Sequence, residues 1–256
     1  MTSSHRFTAA SPVYTYQRIV EQIEEAILSG EFPVGSQLPS ERELMVQFGV
    51  SRPTVREALR VLQSMGLLEP RPGTRGGPVV LAPSADTLGR SFRTMLGTAT
   101  LGLAELVQFR IVLDGSASEL AAIRHDAEQL GRMRDAIERM REAAERDAPD
   151  FAEADLSFHE RIWEASGNRI LSLSGQAVAG ALRELLQRDA ERSGGDPAVK
   201  RDSARIDGGL FAAIERRDAA EAGRIARGAI ADRFAPMLDD AERATLERFL
   251  GRDATP

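Results

Sequence analysis

The sequence contains no cysteine, which excludes disulfide bonds and metal sites built from thiolates. No apolar run is long enough to cross a membrane, and residues 1–11 lack the apolar centre of a secretory signal. Motifs for an activated nucleophile, a phosphate-binding loop or a dinucleotide site are missing as well. These absences predict a cytoplasmic protein that has no membrane partner and is not an enzyme.

Lysine is nearly absent too, since Lys200 is the only one among the 33 basic residues of this 256-residue chain. The net charge is −6, whereas dedicated DNA-binding domains are usually basic. A role in DNA binding therefore depends on where the arginines lie. Arginine suits that role because its planar guanidinium can bind guanine or phosphate through two parallel hydrogen bonds.

Three helices are predicted in the first part of the chain. The first covers residues 16–29. Ser40 and Glu43 form an S-x-x-E capping box where the second helix begins. Gly49 can end this helix in the left-handed conformation, and Ser51 is then expected to cap the third helix.

The third helix has two different faces. Its apolar residues are expected in the core, and they are Val55, Ala58, Leu59, Leu62 and Met65. Arg52, Arg56 and Arg60 recur every four residues and therefore share the other side. Arginines on the second of two helices joined by a tight turn are typical of a helix-turn-helix. The alternative is a solvated face on which the arginines pair with nearby carboxylates, namely Glu41, Glu43 and Glu57.

Residues 67–69 and 79–81 are predicted as two strands around a glycine-rich turn, which would form a wing beside the helix-turn-helix. The rest of the chain is rich in alanine and leucine, and its breaks predict six or seven helices. The breaks lie near residues 97, 124–126, 148–149, 167, 193–197 and 236. The predicted fold class is mainly α, with an N-terminal winged helix-turn-helix and a C-terminal all-α helical bundle.

This organisation predicts four segments along the chain. They are a disordered tail at residues 1–11, a DNA-binding domain at 12–81, a linker at 82–86 and a helical domain at 87–250.

Two polar features are expected inside the helical domain. Arg110 falls within an apolar helix face, where its guanidinium needs an anionic partner. That partner is either a ligand or Asp114, one turn further on. Asp155 and His159 lie four residues apart in an arc that also holds apolar side chains, so both are expected to point inward.

The segments 38–44 and 48–59 resemble those of the GntR family of transcription regulators, in its FadR subfamily with a C-terminal FCD domain. The resemblance extends over nearly the whole chain. It implies a homodimer that binds a palindromic operator in double-stranded DNA. The residues implied to meet DNA are Arg42, Ser51, Arg52, Thr54 and Arg56 on the helices and Arg75 and Gly76 at the wing tip.

In the helical domain the resemblance implies that Arg110 and Asn168 bind a small carboxylate effector, although Asn168 could instead simply cap the C-terminal end of a helix. It also implies a metal site that includes Asp155 and His159 and two further histidines. In this chain Asp207 stands at the first of those two positions.

The second of those positions falls near Ala229 and holds no histidine, and His5 and His125 are the only other histidines in the chain. Asp155, His159 and Asp207 could still hold a divalent ion such as Zn, Ni or Mn. The alternative is that they hydrogen-bond the effector, or one another, without metal.

The resulting functional prediction is a repressor that a small organic acid releases from its operator. One alternative is a DNA-binding dimer whose helical domain senses nothing. The other is a metal-dependent helical enzyme, which would leave the arginine-bearing helix without a role.

Overall fold

The computed structural model describes residues 15–71, 76–193 and 196–252, with side chains given for these residues except 184–195. The tail predicted at residues 1–11 and the wing residue Arg75 lie outside these ranges. The chain divides into two compact units, residues 1–87 and 88–256. No helix in the described part is both long enough and apolar enough to span a membrane.

The first unit contains three helices, which are α1 (Thr15–Leu28), α2 (Glu41–Phe48) and α3 (Arg52–Ser64). The predicted capping box is confirmed: the Glu43 amide donates to Ser40 Oγ at 3.3 Å, and the Glu43 carboxylate accepts from the Ser40 amide at 2.8 Å. Gly49 ends α2 with φ of 65°, as its position before α3 indicated. This turn places α3 directly after α2.

Two details of α3 differ from expectation. Met65 is 39% exposed, because α3 ends at Ser64 and no longer turns that side chain toward the core. Ser51 occupies the N-cap position but makes no capping hydrogen bond, since its Oγ lies 2.9 Å from Thr54 Oγ1 instead. The rest of the predicted stripe is buried, and it consists of Val55, Ala58, Leu59 and Leu62.

The wing is a small antiparallel sheet of β1 (Leu68–Glu69) and β2 (Val79–Val80). The chain before α2 adds to it, because Gln37 forms a bridge with Val79. A Cβ atom on Gly77 would lie 2.2 Å from the Pro39 carbonyl oxygen, so this close backbone approach requires glycine.

Within the described residues, eight α-helices follow the wing, one more than the predicted maximum. They are α4 (Ala85–Gly97), α5 (Leu103–Arg124), α6 (Ala127–Glu145), α7 (Phe151–Ala165), α8 (Arg169–Ser193), α9 (Pro197–Glu215), α10 (Ala219–Phe234) and α11 (Asp240–Phe249). Helix α4 includes the last two residues of the segment predicted as linker, Ala85 and Asp86. Helix α5 contacts α7, α8, α9 and α10 and thus lies at the centre of the helical unit.

The additional helix arises because α9 and α10 are separate. Their junction has neither glycine nor proline, and Arg217 takes a left-handed φ of 59° there. The Arg217 guanidinium donates to the carbonyl oxygens of Ile123 and His125, each at 3.0 Å, at the C-terminal end of α5. These contacts with a distant part of the chain offset the strain of a conformation that non-glycine residues seldom adopt.

Candidate functional site

The first candidate site is the outer face of α3. Arg52 and Arg56 point away from the buried stripe, and their side chains are 67% and 54% exposed. Arg42, on the first turn of α2, is exposed as well, while Thr54 is half-buried. The N-terminal part of α3 thus presents two guanidinium groups one helical turn apart, which suits contacts with base edges and phosphates.

A single carboxylate lies between these two arginines. Glu41 Oε2 accepts a hydrogen bond from Arg52 Nε at 2.8 Å, and Glu41 Oε1 lies 3.7 Å from Arg56 Nε. Glu57 was another predicted partner of these arginines, but it pairs with Arg60, at 3.6 Å. Arg52 and Arg56 are therefore exposed, as DNA contacts require, and they also pair with Glu41, as the alternative of a solvated face predicted.

At the wing, Gly76 is exposed and lies beside the side chain of Gln37. A Cβ atom at Gly76 would lie 2.7 Å from Gln37 Oε1, which is the movable end of a flexible side chain. Gly77, which the sequence did not single out as a site residue, is the glycine whose replacement would clash with backbone.

The second candidate site lies inside the helical unit. Arg110 and Asp114, both on α5, form a buried ion pair of 3.0 Å. Asp114 is thus the anionic partner of Arg110 in this structure, as one of the two alternatives predicted. The other oxygen of Asp114 accepts a hydrogen bond from Trp163 Nε1 at 2.6 Å. The Arg110 guanidinium also lies over the Phe234 ring, 5.8 Å from its centroid. Arg110 is thus charged, buried and held from two sides.

His159 lies between two carboxylates from different helices. Its Nε2 is 3.7 Å from Asp155 Oδ1 on α7 and 3.8 Å from Asp207 Oδ2 on α9. His159 and Asp207 are buried, whereas the Asp155 side chain is about one third exposed. The fold therefore brings together the three residues that the sequence analysis selected.

These groups shift one another's protonation. Burial alone would lower the pKa of His159, but the carboxylates of Asp207 and Asp155 outweigh it and raise the pKa to about 9. Burial raises the pKa of Asp207 to about 7, against the opposing charge of His159. Desolvation would raise the pKa of Asp155 also, yet His159 brings it below the usual value.

The donor set fits a divalent cation. Candidate ligand atoms of Asp155, His159 and Asp207 all lie within 4.8 Å of one another. Ligands about 2.0–2.2 Å from a shared ion would be separated by about 3–4.4 Å, which is close to this spacing. Asp207 Oδ1 is buried without a hydrogen-bond partner in the described structure, and a cation would satisfy it.

Asn168 begins α8. Its Oδ1 accepts from the amides of Ile170 and Leu171 at 3.0 and 3.3 Å, and the residue is exposed. The sequence allowed Asn168 to cap the end of α7, whereas these contacts stabilise the start of α8.

Trp163 is the residue of this site that the sequence analysis missed. It follows His159 by four residues and Asp155 by eight, so helical spacing already placed it on their face. Its ring stacks on the His159 ring with centroids 6.3 Å apart, while its Nε1 donates to Asp114. Trp163 thereby connects the Arg110 pair to the carboxylate–histidine cluster.

Two family models match the chain. The model for "Bacterial regulatory proteins, gntR family" matches residues 15–76, and the model for "FCD domain" matches residues 105–232. The first match contains α1 to α3 and the start of the wing, and the second contains the Arg110 pair and the carboxylate–histidine cluster.

Proteins named HTH-type transcriptional repressor NanR are among the similar relatives. The Klebsiella aerogenes protein is 36% identical over 169 residues, which are 63% of this chain and 62% of the relative. The Cronobacter sakazakii protein is 36% identical over 161 residues, 60% of this chain and 59% of the relative. The matched region thus spans about three fifths of the length of these curated relatives.

Among solved structures, the Streptococcus agalactiae GntR structure matches with a TM-score of 0.63 at 25% identity, covering 84% of this chain and 96% of that chain.

Proposed function

This chain belongs to the GntR family of bacterial regulatory proteins and carries an FCD domain, and on this premise we propose that it is a ligand-responsive transcriptional repressor. It acts in the cytoplasm as a homodimer of the FadR subfamily. A small organic acid that binds the helical domain, predicted at residues 87–250, releases the DNA-binding domain, predicted at 12–81, from its operator.

The observation that carries this proposal is the N-terminal part of α3. Arg52 and Arg56 are exposed there within a region that matches the gntR model. A helix in the major groove can place such arginines against guanine O6 and N7. Arg42, Ser51, Thr54, Arg75 and Gly76 complete the proposed DNA-binding set, chiefly as contacts to phosphates.

Replacement of Arg52 tests this assignment. Arg52→Ala should weaken operator binding at least about fivefold, because a bidentate contact to guanine contributes about 1–3 kcal/mol. Arg132→Ala removes the same charge from an exposed pair on α6 and serves as the matched control. Binding is measured by gel shift on duplexes that wild-type protein selects from a random pool. Equal affinity of the two variants would refute the assignment of α3 as the recognition helix.

The operator should be palindromic, because a two-fold dimer presents two identical recognition helices to successive major-groove half-sites. Equal enrichment of single half-sites and palindromes in that selection would contradict a dimeric DNA-binding state.

We place effector binding at the Arg110 pair and the carboxylate–histidine cluster. Three carboxylates face two cationic side chains here, namely Asp114, Asp155 and Asp207 against Arg110 and protonated His159. An anionic effector therefore needs further positive charge, which a divalent ion such as Zn, Ni or Mn would supply when held by Asp155, Asp207 and a His159 that has given up its proton. Arg110 would then orient the carboxylate, with Asn168 as a second proposed contact through its amide nitrogen.

Metal analysis of the purified protein, together with a thermal-shift screen of organic acids, tests this site. Stoichiometric metal that is lost in Asp155→Ala, with an acid that stabilises only the metal-loaded protein, is the expected result. Stabilisation by an acid in metal-free protein, lost in Arg110→Ala, would instead show direct recognition without metal. By linkage, operator DNA must weaken acid binding by the same factor by which the acid weakens DNA binding.

A further inference from the structure

We propose that Glu41 is the residue that sets DNA sequence specificity, by positioning Arg52 and Arg56 with their terminal nitrogens outward. This inference rests on the proposed DNA-binding function and adds a residue that does not itself need to touch a base. It begins from the bridge that one carboxylate forms between two exposed arginines.

The geometry of the bridge decides which part of each guanidinium remains available. Nε is the guanidinium atom nearest Glu41 in both arginines: Arg52 Nε donates a hydrogen bond at 2.8 Å, and Arg56 Nε lies at an ion-pair distance of 3.7 Å. A guanidinium held at Nε keeps its two Nη groups for an end-on, bidentate contact, which is the geometry that guanine O6 and N7 accept. The carboxylate therefore selects the orientation that reads a base.

The position of Glu41 makes this orientation stable in the free protein. Glu41 is the first residue of α2, where the helix dipole favours a carboxylate, and its side chain is only 34% exposed. The two arginines are more exposed and would sample many rotamers without it. Because the bridge restricts them before DNA binds, less conformational freedom is lost when the guanine contact forms.

The negative charge of Glu41 also weakens non-specific DNA binding. Non-specific affinity comes from arginines and lysines that neutralise phosphates. Glu41 leaves the three-residue bridge with one net positive charge instead of two, and repels phosphates that approach the first turn of α2. Glu41 therefore weakens binding to any duplex, which leaves the ratio of operator to non-specific affinity unchanged. The guanine contact that Glu41 favours strengthens operator binding alone, and this effect widens the ratio.

The test compares Glu41→Gln with Glu57→Gln. Both substitutions remove one negative charge from the helix-turn-helix, but Glu57 pairs with Arg60 and not with the bridged arginines. Affinities are measured by fluorescence anisotropy for the duplex that wild-type protein selects from a random pool and for a shuffled duplex of the same composition. Both variants should bind the shuffled duplex more tightly, whereas only Glu41→Gln should lower the affinity ratio, by up to about fivefold.

A third variant separates charge from position. Glu41→Asp keeps the charge but shortens the side chain by one methylene, so it should lower the ratio toward that of Glu41→Gln. Replacing operator guanines by 7-deazaguanine removes the N7 acceptor and should weaken wild-type binding more than Glu41→Gln binding. If Glu41→Gln changes the ratio no more than Glu57→Gln does, Glu41 has no positioning role. If wild-type protein selects no sequence at all, the proposed DNA-binding function fails first, and this inference fails with it.

Discussion

Each unit of the molecule holds an arginine against a carboxylate, at nearly the same distance but in opposite surroundings. Arg52 and Glu41 are 2.8 Å apart, with 67% and 34% of their side chains exposed. Arg110 and Asp114 are 3.0 Å apart, with 8% and 3% exposed. Water can solvate either member of the exposed pair at little cost, and the terminal nitrogens of Arg52 remain available to a second partner such as DNA. The buried pair can be changed only by something that enters the helical unit.

The largest effect should come from breaking the buried pair. Asp114→Ala would leave the Arg110 guanidinium charged in the interior and would remove the acceptor of Trp163 Nε1. We expect a loss of about 3–5 kcal/mol in the free energy of unfolding, measured by urea denaturation. Glu41→Ala should cost no more than about 1 kcal/mol, because water solvates the partners it leaves. Similar losses of unfolding free energy in Asp114→Ala and Glu41→Ala would show that burial does not distinguish the two ion pairs.

A second prediction concerns pH, in metal-free protein. The folded pKa of His159, about 9, exceeds the unfolded value of about 6.5, so its stabilisation is complete below pH 6.5 and is lost as pH rises through 9. The folded pKa of Asp207, about 7, also exceeds its unfolded value near 3.9, so stability falls as this group ionises between about pH 4 and 7.

Both shifts act in one direction, and stability should fall between about pH 4 and 9, with up to about 3 kcal/mol from His159. Thermal unfolding in chelator across this range measures the decline, and an NMR titration of the three histidines reports the pKa directly. Asp207→Asn should flatten the decline below pH 7, whereas Glu41→Gln in the other unit should leave the profile unchanged. A profile that rises over this range would contradict the buried cluster.

The smallest expected effect is a loss of stability when a glycine is replaced by alanine, and it should differ between two glycines. Gly77→Ala would place Cβ 2.2 Å from the Pro39 carbonyl oxygen, in a backbone contact that cannot yield easily, and should destabilise by about 1–3 kcal/mol. Gly208→Ala in α9 would meet the Arg141 guanidinium at 2.5 Å, which is the movable end of a side chain. Its effect should stay within about 1 kcal/mol, since alanine also favours the helix. Thermal unfolding distinguishes the two variants. A Gly77→Ala shift in Tm as small as that of Gly208→Ala would show that the wing tolerates a side chain at Gly77.

Much of the first unit could be predicted, because its signals are local. The capping box of Ser40 and Glu43 and the left-handed Gly49 involve residues close together in the chain, and side-chain chemistry alone favours these conformations. The break between α9 and α10 could not be found in this way. Arg217 adopts its unusual conformation because of carbonyl groups at the end of α5, about ninety residues earlier.

The candidate sites divide in the same manner. Periodicity by itself determined that Arg52 and Arg56 share a face, that Arg110 turns inward and that Asp155 and His159 lie one turn apart, because side-chain direction along a helix follows from its repeat. Only the tertiary structure decided which carboxylate each arginine meets, that Trp163 joins Arg110 to His159, and that Asp207 reaches His159 from another helix. Those choices depend on how helices pack, and packing is set by contacts between residues distant in the chain.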